Sequence, residues 1–219
     1  MKNRVTVQQL CLIAMAVCIN VAGGQLALML RLPVYLDSIG TILTGALMGP
    51  VYGMLPNLLS GLMTGMTTDI YALYFAPVGM LTGLATGLVW KRMSVGGAVH
   101  RRRAFCERKG SDLAAKDLPG TRKMKKYGQI FLAALVITVP GTVVSALICA
   151  KLFGGITSSG SAVLVQLLAK TPLGMTASVF VVQIITDYLD RVISLFLVIS
   201  LLHALPADMK RKWSGRRND

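Results

Sequence analysis

Long apolar stretches separated by short polar or glycine-containing breaks fill most of this chain. The pattern predicts helices at about 5–30, 35–48, 51–66, 70–90, 127–153 and 187–205. The second and third helices are short, because at about 1.5 Å per residue they reach only ~21–24 Å, less than the ~30 Å hydrocarbon layer of a bilayer. Short helices interrupted by glycine or proline are where membrane transporters often place their binding sites.

A further apolar stretch, "SAVLVQLLAKTPLGMTASVFVVQII", precedes the last predicted helix and is long enough to cross a membrane. A seventh crossing would place the basic C-terminus on the outside, which the distribution of positive charge disfavours. The sequence therefore predicts a Gly/Ser loop followed by an interfacial or re-entrant helical segment within 154–186, broken near Pro172. The last helix is then predicted to begin at Asp187.

Composition and charge identify the class of protein. The chain is 54% hydrophobic and 15% charged, with a mean hydropathy of +0.63, values typical of an integral membrane protein. Twelve of the 23 Lys and Arg residues fall in 91–126, five fall in 206–219, and Lys2 and Arg4 are at the N-terminus. By the positive-inside rule, both termini and the 91–126 linker are predicted to be cytoplasmic.

The predicted architecture is a single all-α membrane domain covering 1–219, with six transmembrane helices, a basic cytoplasmic linker at 91–126 and a cytoplasmic tail at 206–219. The formal charge of +14 does not indicate a nucleic-acid partner, because the basic linker has almost no interleaved aromatic residues. We expect the linker to contact anionic lipid headgroups or partner subunits instead.

Acidic residues recur at the predicted outer ends of the helices. Asp37 opens the second helix, Asp69 precedes the fourth, and Asp187 opens the sixth, with Asp190 and Arg191 one turn further on. Two interpretations stay open: these acids cap helix N-termini, or together they line a shared polar cavity. For Asp187, Asp190 and Arg191 the alternative to a ligand-binding cluster is a structural ion pair.

Neutral polar and aromatic residues extend this candidate site. Asn57 follows Pro56 in the third helix and either bonds a neighbouring helix or lines the cavity. Tyr71 and Tyr74 flank the outer end of the fourth helix, where interfacial aromatics commonly lie, and they could also stack on a flat ring. Clustered acids and tyrosines favour a polar, amine-bearing heterocycle as ligand.

Motifs for catalysis and cofactor binding are not found. The two histidines, His100 and His203, fall in the linker and at the cytoplasmic end of the last helix, so no embedded Ser/His site is expected. Two carboxylates beside an arginine are too few to indicate a metal, and there is no P-loop for ATP. The chain is therefore predicted to be neither an enzyme nor a cofactor-binding protein.

Small residues recur at four-residue spacing on three helices. Gly79, Gly83 and Gly87 lie on one face of the fourth helix, and a similar series, Gly45 to Gly53, spans the second and third. Such ridges allow helices to approach closely, and we expect them to pack inside the bundle. On the first helix the stripe is Ala14, Cys18 and Ala22, where internal packing and contact with a partner protein are equally favoured.

Three segments together resemble one protein family. They are "LPVYLDSIGTILTGALMGPVYGMLPNLLSGL" (32–62), "YALYFAPVGMLTGLATGLVWKR" (71–92) and "DYLDRVISLFLV" (187–198). The chain is similar to the substrate-binding S components of energy-coupling factor (ECF) vitamin transporters, closest to a clostridial-type subgroup with an "LDSIGT…GP" signature.

The resemblance implies a six-helix protein of the bacterial cell membrane that captures a small micronutrient, such as a vitamin, nucleobase or nucleoside-like compound, at the outer face. It implies delivery by toppling against a transmembrane coupling protein driven by two ATPase subunits, with docking through Ala14, Cys18 and Ala22. Cys18 departs from the family's usual Ala-xxx-Ala stripe. The candidate substrate-binding residues are Asp37, Thr41, Asn57, Asp69, Tyr71, Tyr74, Asp187, Asp190 and Arg191. The alternative function is a self-sufficient, proton-coupled secondary carrier of a small polar metabolite.

Overall fold

The computed structural model describes residues 6–93, 119–153, 160–170 and 174–205, and the described residues form helices without strands. The helices are α1 (Val7–Met29), α2 (Ile39–Met48), α3 (Pro50–Thr67), α4 (Ile70–Met93), α5 (Pro119–Leu152), α6 (Ser161–Leu168) and α7 (Gly174–Ala204). The predicted all-α class is confirmed. Most of the basic linker and the C-terminal tail lie outside the described residues, although α5 begins eight residues before the predicted 127.

Three helices are long and apolar enough to cross a membrane: Val7–Met29, Ile70–Arg92 and Phe131–Leu152. They show a membrane-embedded protein, whereas the count of six spans stays a prediction. Helix α7 has 31 residues, about 46 Å at 1.5 Å per residue. It is not as apolar, because every 18-residue stretch within it contains Asp187, Asp190 and Arg191.

Helix α2 occupies the centre of the bundle, where α1, α3, α4 and α7 pack around it. Six consecutive residues, 40–45, are buried, so this part of α2 has no side that faces lipid. At ten residues it is too short to cross the hydrocarbon layer. The sequence placed its start at 35, which is wrong: Leu36 has a φ of 52°, outside the helical region, and the helix begins at Ile39.

Glycines set the close contact between α3 and α4. A Cβ atom at Gly83 would collide with the backbone of Gly53, and one at Gly79 would collide with the side chain of Asn57. The internal packing predicted for the α4 ridge is therefore confirmed. Gly49 lies between α2 and α3, and its φ of 95°, which glycine adopts readily, allows the chain to turn there.

The region 154–186 differs from its prediction. A short helix, α6, is present, but the last helix begins at Gly174 instead of Asp187, so Asp187 lies near the middle of α7. The helix continues through this region because its polar side chains have partners in α5: Gln183 Nε2 donates to Ser145 Oγ at 2.6 Å. Pro172, the predicted break, lies outside the described residues.

Candidate functional site

A cavity of about 90 Å³ lies at the end of the bundle where α1 and α3 finish and α4 starts. Its wall combines polar side chains with apolar ones, such as Leu28, Leu32 and Phe75. The polar lining residues are Asn20, Tyr35, Asp37, Asn57, Ser60, Thr64, Asp69 and Tyr71. A concave site with a few polar groups on an otherwise apolar wall is typical of small-molecule binding sites.

The connection between α1 and α2, residues 30–38, forms one wall of this cavity through Leu32, Val34, Tyr35 and Asp37. Three contacts hold it: the Leu36 N–H donates to Asp190 Oδ1 at 2.7 Å, Asn57 Nδ2 donates to the Asp37 carbonyl at 3.3 Å, and the Tyr35 hydroxyl lies 3.5 Å from Ser161 Oγ. The left-handed backbone of Leu36 is costly for a side chain other than glycine, so these contacts must maintain it.

Asp190 and Arg191 form a buried ion pair behind that wall, with 2.6 Å between Arg191 Nη1 and Asp190 Oδ2. Asp190 also accepts from the Ser38 hydroxyl at 3.0 Å, and Arg191 donates to Ser38 and to Thr82 Oγ1. Buried charges are tolerated when they are paired and fully hydrogen-bonded, and these contacts meet that condition. The pair does not line the cavity, and Ser38 serves it instead of capping α2.

Asp187 belongs to a second interior contact. Its carboxylate accepts from Thr142 Oγ1 of α5 at 2.9 Å, and its side chain lies between α5 and α7. Like the ion pair it is outside the cavity lining. The structure therefore separates the three charged residues of α7 from the four predicted site residues that line the cavity: Asp37, Asn57, Asp69 and Tyr71.

The acid before α4 serves as a cap as well as lining the cavity. Asp69 Oδ1 accepts from the Tyr71 N–H at 3.1 Å, which is the capping predicted from the sequence. The two tyrosines differ in position: Tyr71 lines the cavity, whereas Tyr74 does not. Both pack edge-on against Phe153, with ring centroids 4.7 and 5.4 Å away.

Asn20 is a site residue that the sequence reasoning missed. Its Oδ1 accepts from the Gly40 N–H at 2.8 Å and its Nδ2 donates to Thr41 Oγ1 at 2.8 Å, so α1 caps α2 through this side chain. Thr41 is fully buried by this contact and does not line the cavity. The available signal was an amide in the middle of an apolar helix, similar to the one that singled out Asn57.

Among the acids close to Arg191, Asp37 is the one that lines the cavity. Burial, together with the neighbouring Asp190 carboxylate, raises the pKa of its carboxyl from the usual 3.8 to about 6, although the Arg191 guanidinium and a backbone hydrogen bond act in the opposite direction. Arg191 is nevertheless paired with Asp190. Asp37 therefore lines the cavity without an ion pair of its own among the described residues.

The stripe on α1 lies on the outward face of the helix. Ala14, Cys18 and Ala22 are exposed, while Leu12, Ala16 and Asn20 form the buried face. Internal packing within the described residues therefore does not involve the stripe.

Within the described part of the chain, no group of three His, Cys, Asp or Glu side chains is placed to hold a metal ion. Comparisons of the chain with protein-family models, curated proteins and solved structures find no match.

Proposed function

We propose that this chain is the substrate-binding S component of an ECF-type transporter and that the cavity between α1, α3 and α4 captures a small micronutrient. The observation that carries the proposal is the composition of the cavity wall: two carboxylates, two amides and two tyrosines at one end of a membrane-embedded bundle. A concave wall with several polar groups among apolar side chains is the composition that small-molecule sites commonly have.

The placement of the cavity fits uptake from outside the cell. Helix α1 runs from the N-terminus towards the cavity, whose lining includes Ala27 and Leu28 near its C-terminal end. With the N-terminus in the cytoplasm, as the positive-inside rule predicts, the cavity is at the outer face. The proposed location is the bacterial cell membrane, with both termini cytoplasmic.

The outward face of α1 supports docking on a transmembrane coupling protein. Small residues at 14, 18 and 22 allow the backbone of a second helix to approach closely in lipid. Larger apolar side chains extend the same surface, including Met15 (42% exposed) and Leu26 (52% exposed). In this proposal two ATPase subunits bound to the coupling protein supply the energy.

Gentle affinity purification from the native membrane, with mass spectrometry of all retained proteins, tests this assignment. We expect two ATPases and one transmembrane protein with the wild-type chain. Ala14→Trp should abolish their retention, because the bulky ring prevents close approach, whereas Leu135→Trp on the exposed side of α5 should not. Retention of the same subunits by Ala14→Trp would remove the docking surface from the proposal.

The second candidate is a proton-coupled secondary carrier. It is favoured by Asp187, a carboxylate in the middle of α7 that Thr142 bonds within the bundle, since intramembrane acids often relay protons. This function predicts that the purified chain alone, in lipid vesicles, accumulates its substrate when a pH gradient is applied. The S component predicts no accumulation without the ATPases.

A further inference from the structure

Two adjacent glycines of α1 differ in what a side chain would meet. A Cβ atom at Gly23 would collide with the Leu36 carbonyl oxygen, so this glycine is needed for the contact between α1 and the α1–α2 connection. A Cβ atom at Gly24 would have one neighbour within 4 Å among the described residues, the Asp37 Cβ atom at 3.6 Å, which is an ordinary van der Waals distance. Close packing therefore does not require a glycine at position 24.

The backbone of α1 does not require it either. Among the described residues, the glycines with a positive φ are Gly49 and Gly174, so Gly24 has a helical conformation that other residues adopt. Glycine destabilises the interior of a helix relative to alanine, because it has more backbone freedom to lose. In membrane helices it usually marks the close approach of a second helix, and no helix in the described part of the chain comes that near to Gly24.

The space beside Gly24 is the cavity. Gly24 lies in its lining, one turn from Asn20 and one turn from Leu28, which line it as well. Residues four apart share one face of a helix, so a side chain at position 24 would lie over the middle of the α1 side of the cavity. The cavity volume, about 90 Å³, equals about three water molecules at ~30 Å³ each, and a leucine side chain would take up a large part of it.

The second glycine of the lining, Gly61, has a packing reason. A Cβ atom there would lie 3.1 Å from the Ala76 Cβ atom and 3.3 Å from the Ala72 carbonyl oxygen, so Gly61 allows α3 to approach α4. Of the two glycines that line the cavity, Gly24 is thus the one whose missing side chain leaves free volume.

From these observations we infer that Gly24 is a specificity-determining residue: the absence of a side chain at this position sets the size of the group that the cavity admits. The inference rests on the proposed function in taking the cavity as the substrate site. It concerns the size of the substrate and not its charge, so it applies whichever polar groups of the lining bond the substrate.

Labelling of a cysteine inside the cavity tests the size limit. Ser60 lines the cavity from α3, and Ser60→Cys is introduced into the full chain with Cys11, Cys18 and Cys106 changed to serine. Cys149 is buried and is kept, and the chain without Ser60→Cys provides the background rate. The probes are methyl methanethiosulfonate and the larger benzyl methanethiosulfonate. Mass spectrometry of the intact protein measures both rates in detergent.

Both reagents should react with Ser60→Cys when Gly24 is present. Gly24→Ala should slow the benzyl reagent by about tenfold and the methyl reagent much less, and Gly24→Leu should slow both by about tenfold or more, since a filled cavity resists further atoms. Tyr74→Cys, exposed and outside the lining, should keep its rates in all three backgrounds. Rates at Ser60→Cys that do not change with Gly24→Leu, or no reaction with either reagent when Gly24 is present, would overturn the inference.

Thermal unfolding distinguishes a size limit from a packing role. Gly23→Ala should lower the thermal midpoint, because its Cβ atom collides with the Leu36 carbonyl oxygen. Gly24→Ala should leave the midpoint unchanged or raise it, because alanine favours the helix. An equal decrease in the two variants would mean that Gly24 serves packing, and it would overturn the inference.

Retention of partner subunits separates this inference from the proposed function. Gly24 lines the cavity and is not part of the outward stripe of α1, so Gly24→Leu should retain the same ECF subunits as the wild-type chain. Labelling that depends on residue 24 in a chain without those subunits would support the size limit and remove the transporter assignment. Labelling that ignores residue 24 in a chain that retains them would do the reverse.

Discussion

Asp37 and Asp190 lie close enough for their charges to interact, yet their surroundings are opposite. Asp190 is 1% exposed and is bonded by Arg191, Ser38 and the Leu36 N–H. Asp37 lines a cavity and has no ion pair of its own among the described residues. Neighbouring carboxylates of one bundle therefore have different surroundings: Asp190 is held by a counter-charge and two hydrogen bonds, whereas Asp37 lines the cavity.

The sharpest way to test this comparison is to remove the structural acid. Asp190→Ala leaves the Arg191 guanidinium buried without its counter-charge, and the protein should lose about 3–5 kcal/mol of unfolding free energy. Denaturant-induced unfolding in detergent, followed by circular dichroism, measures the loss. The double variant Asp190→Ala with Arg191→Met should recover much of it. If Asp37→Ala cost as much as Asp190→Ala, the two acids would not differ as described.

The pH dependence of stability should isolate Asp37. Because its pKa is raised to about 6 in the folded protein, the protonated form is favoured there. The stabilisation that this provides is complete below pH 3.8 and is lost as the pH rises through 6. The stability of Asp37→Asn relative to wild type should therefore increase between pH 4 and pH 7, measured as the difference in thermal midpoint. A constant difference over that range would show that Asp37 titrates normally.

The smallest expected effect concerns the α1–α2 connection, which contains Asp37 and bonds Asp190 through the Leu36 N–H. Leu36→Gly removes the penalty of a left-handed backbone, but it also removes the leucine side chain and gives the unfolded chain more freedom. We expect stability within about 1 kcal/mol of wild type, whereas Leu32→Gly, in the same connection without a positive φ, should be more destabilising. A loss of several kcal/mol in Leu36→Gly alone would mean that the Leu36 side chain, and not its N–H bond to Asp190, holds the wall.

Hydrophobic patterning was sufficient to place α1, α3 and α4, because each is an apolar run whose ends are marked by polar residues or by glycine and proline. The capping by Asp69 was also predictable, since a cap acts on N–H groups two residues away. The two wrong starts have a different origin. The start of α2 is later than predicted because Leu36 leaves the helical region and its N–H bonds Asp190, 154 residues further along the chain. The start of α7 is earlier than predicted because Gln183 hydrogen-bonds Ser145 of α5.

A polar site at one end of the bundle was predictable from the sequence, but only some of the residues that line it were. Asp37, Asn57 and Tyr71, each offered by the sequence as a candidate site residue with an alternative role, do line the cavity. The same criterion also selected Asp187, Asp190 and Arg191, because sequence does not distinguish a polar side chain that meets another helix from one that meets a cavity. That distinction depends on helix rotation and on partners such as Thr142 and Ser38.

The burial of α2 has a consequence for biosynthesis. Ser38, at its N-terminal edge, is separated by 152 residues from Asp190, the acid that it bonds. A chain emerging from the ribosome delivers α2 long before α7. Until α7 arrives, Ser38 lacks its partners Asp190 and Arg191, and one side of α2 lacks the helix that covers it. Assembly of the centre of this protein is therefore among the last steps of its insertion, and a chain truncated before residue 187 cannot complete it.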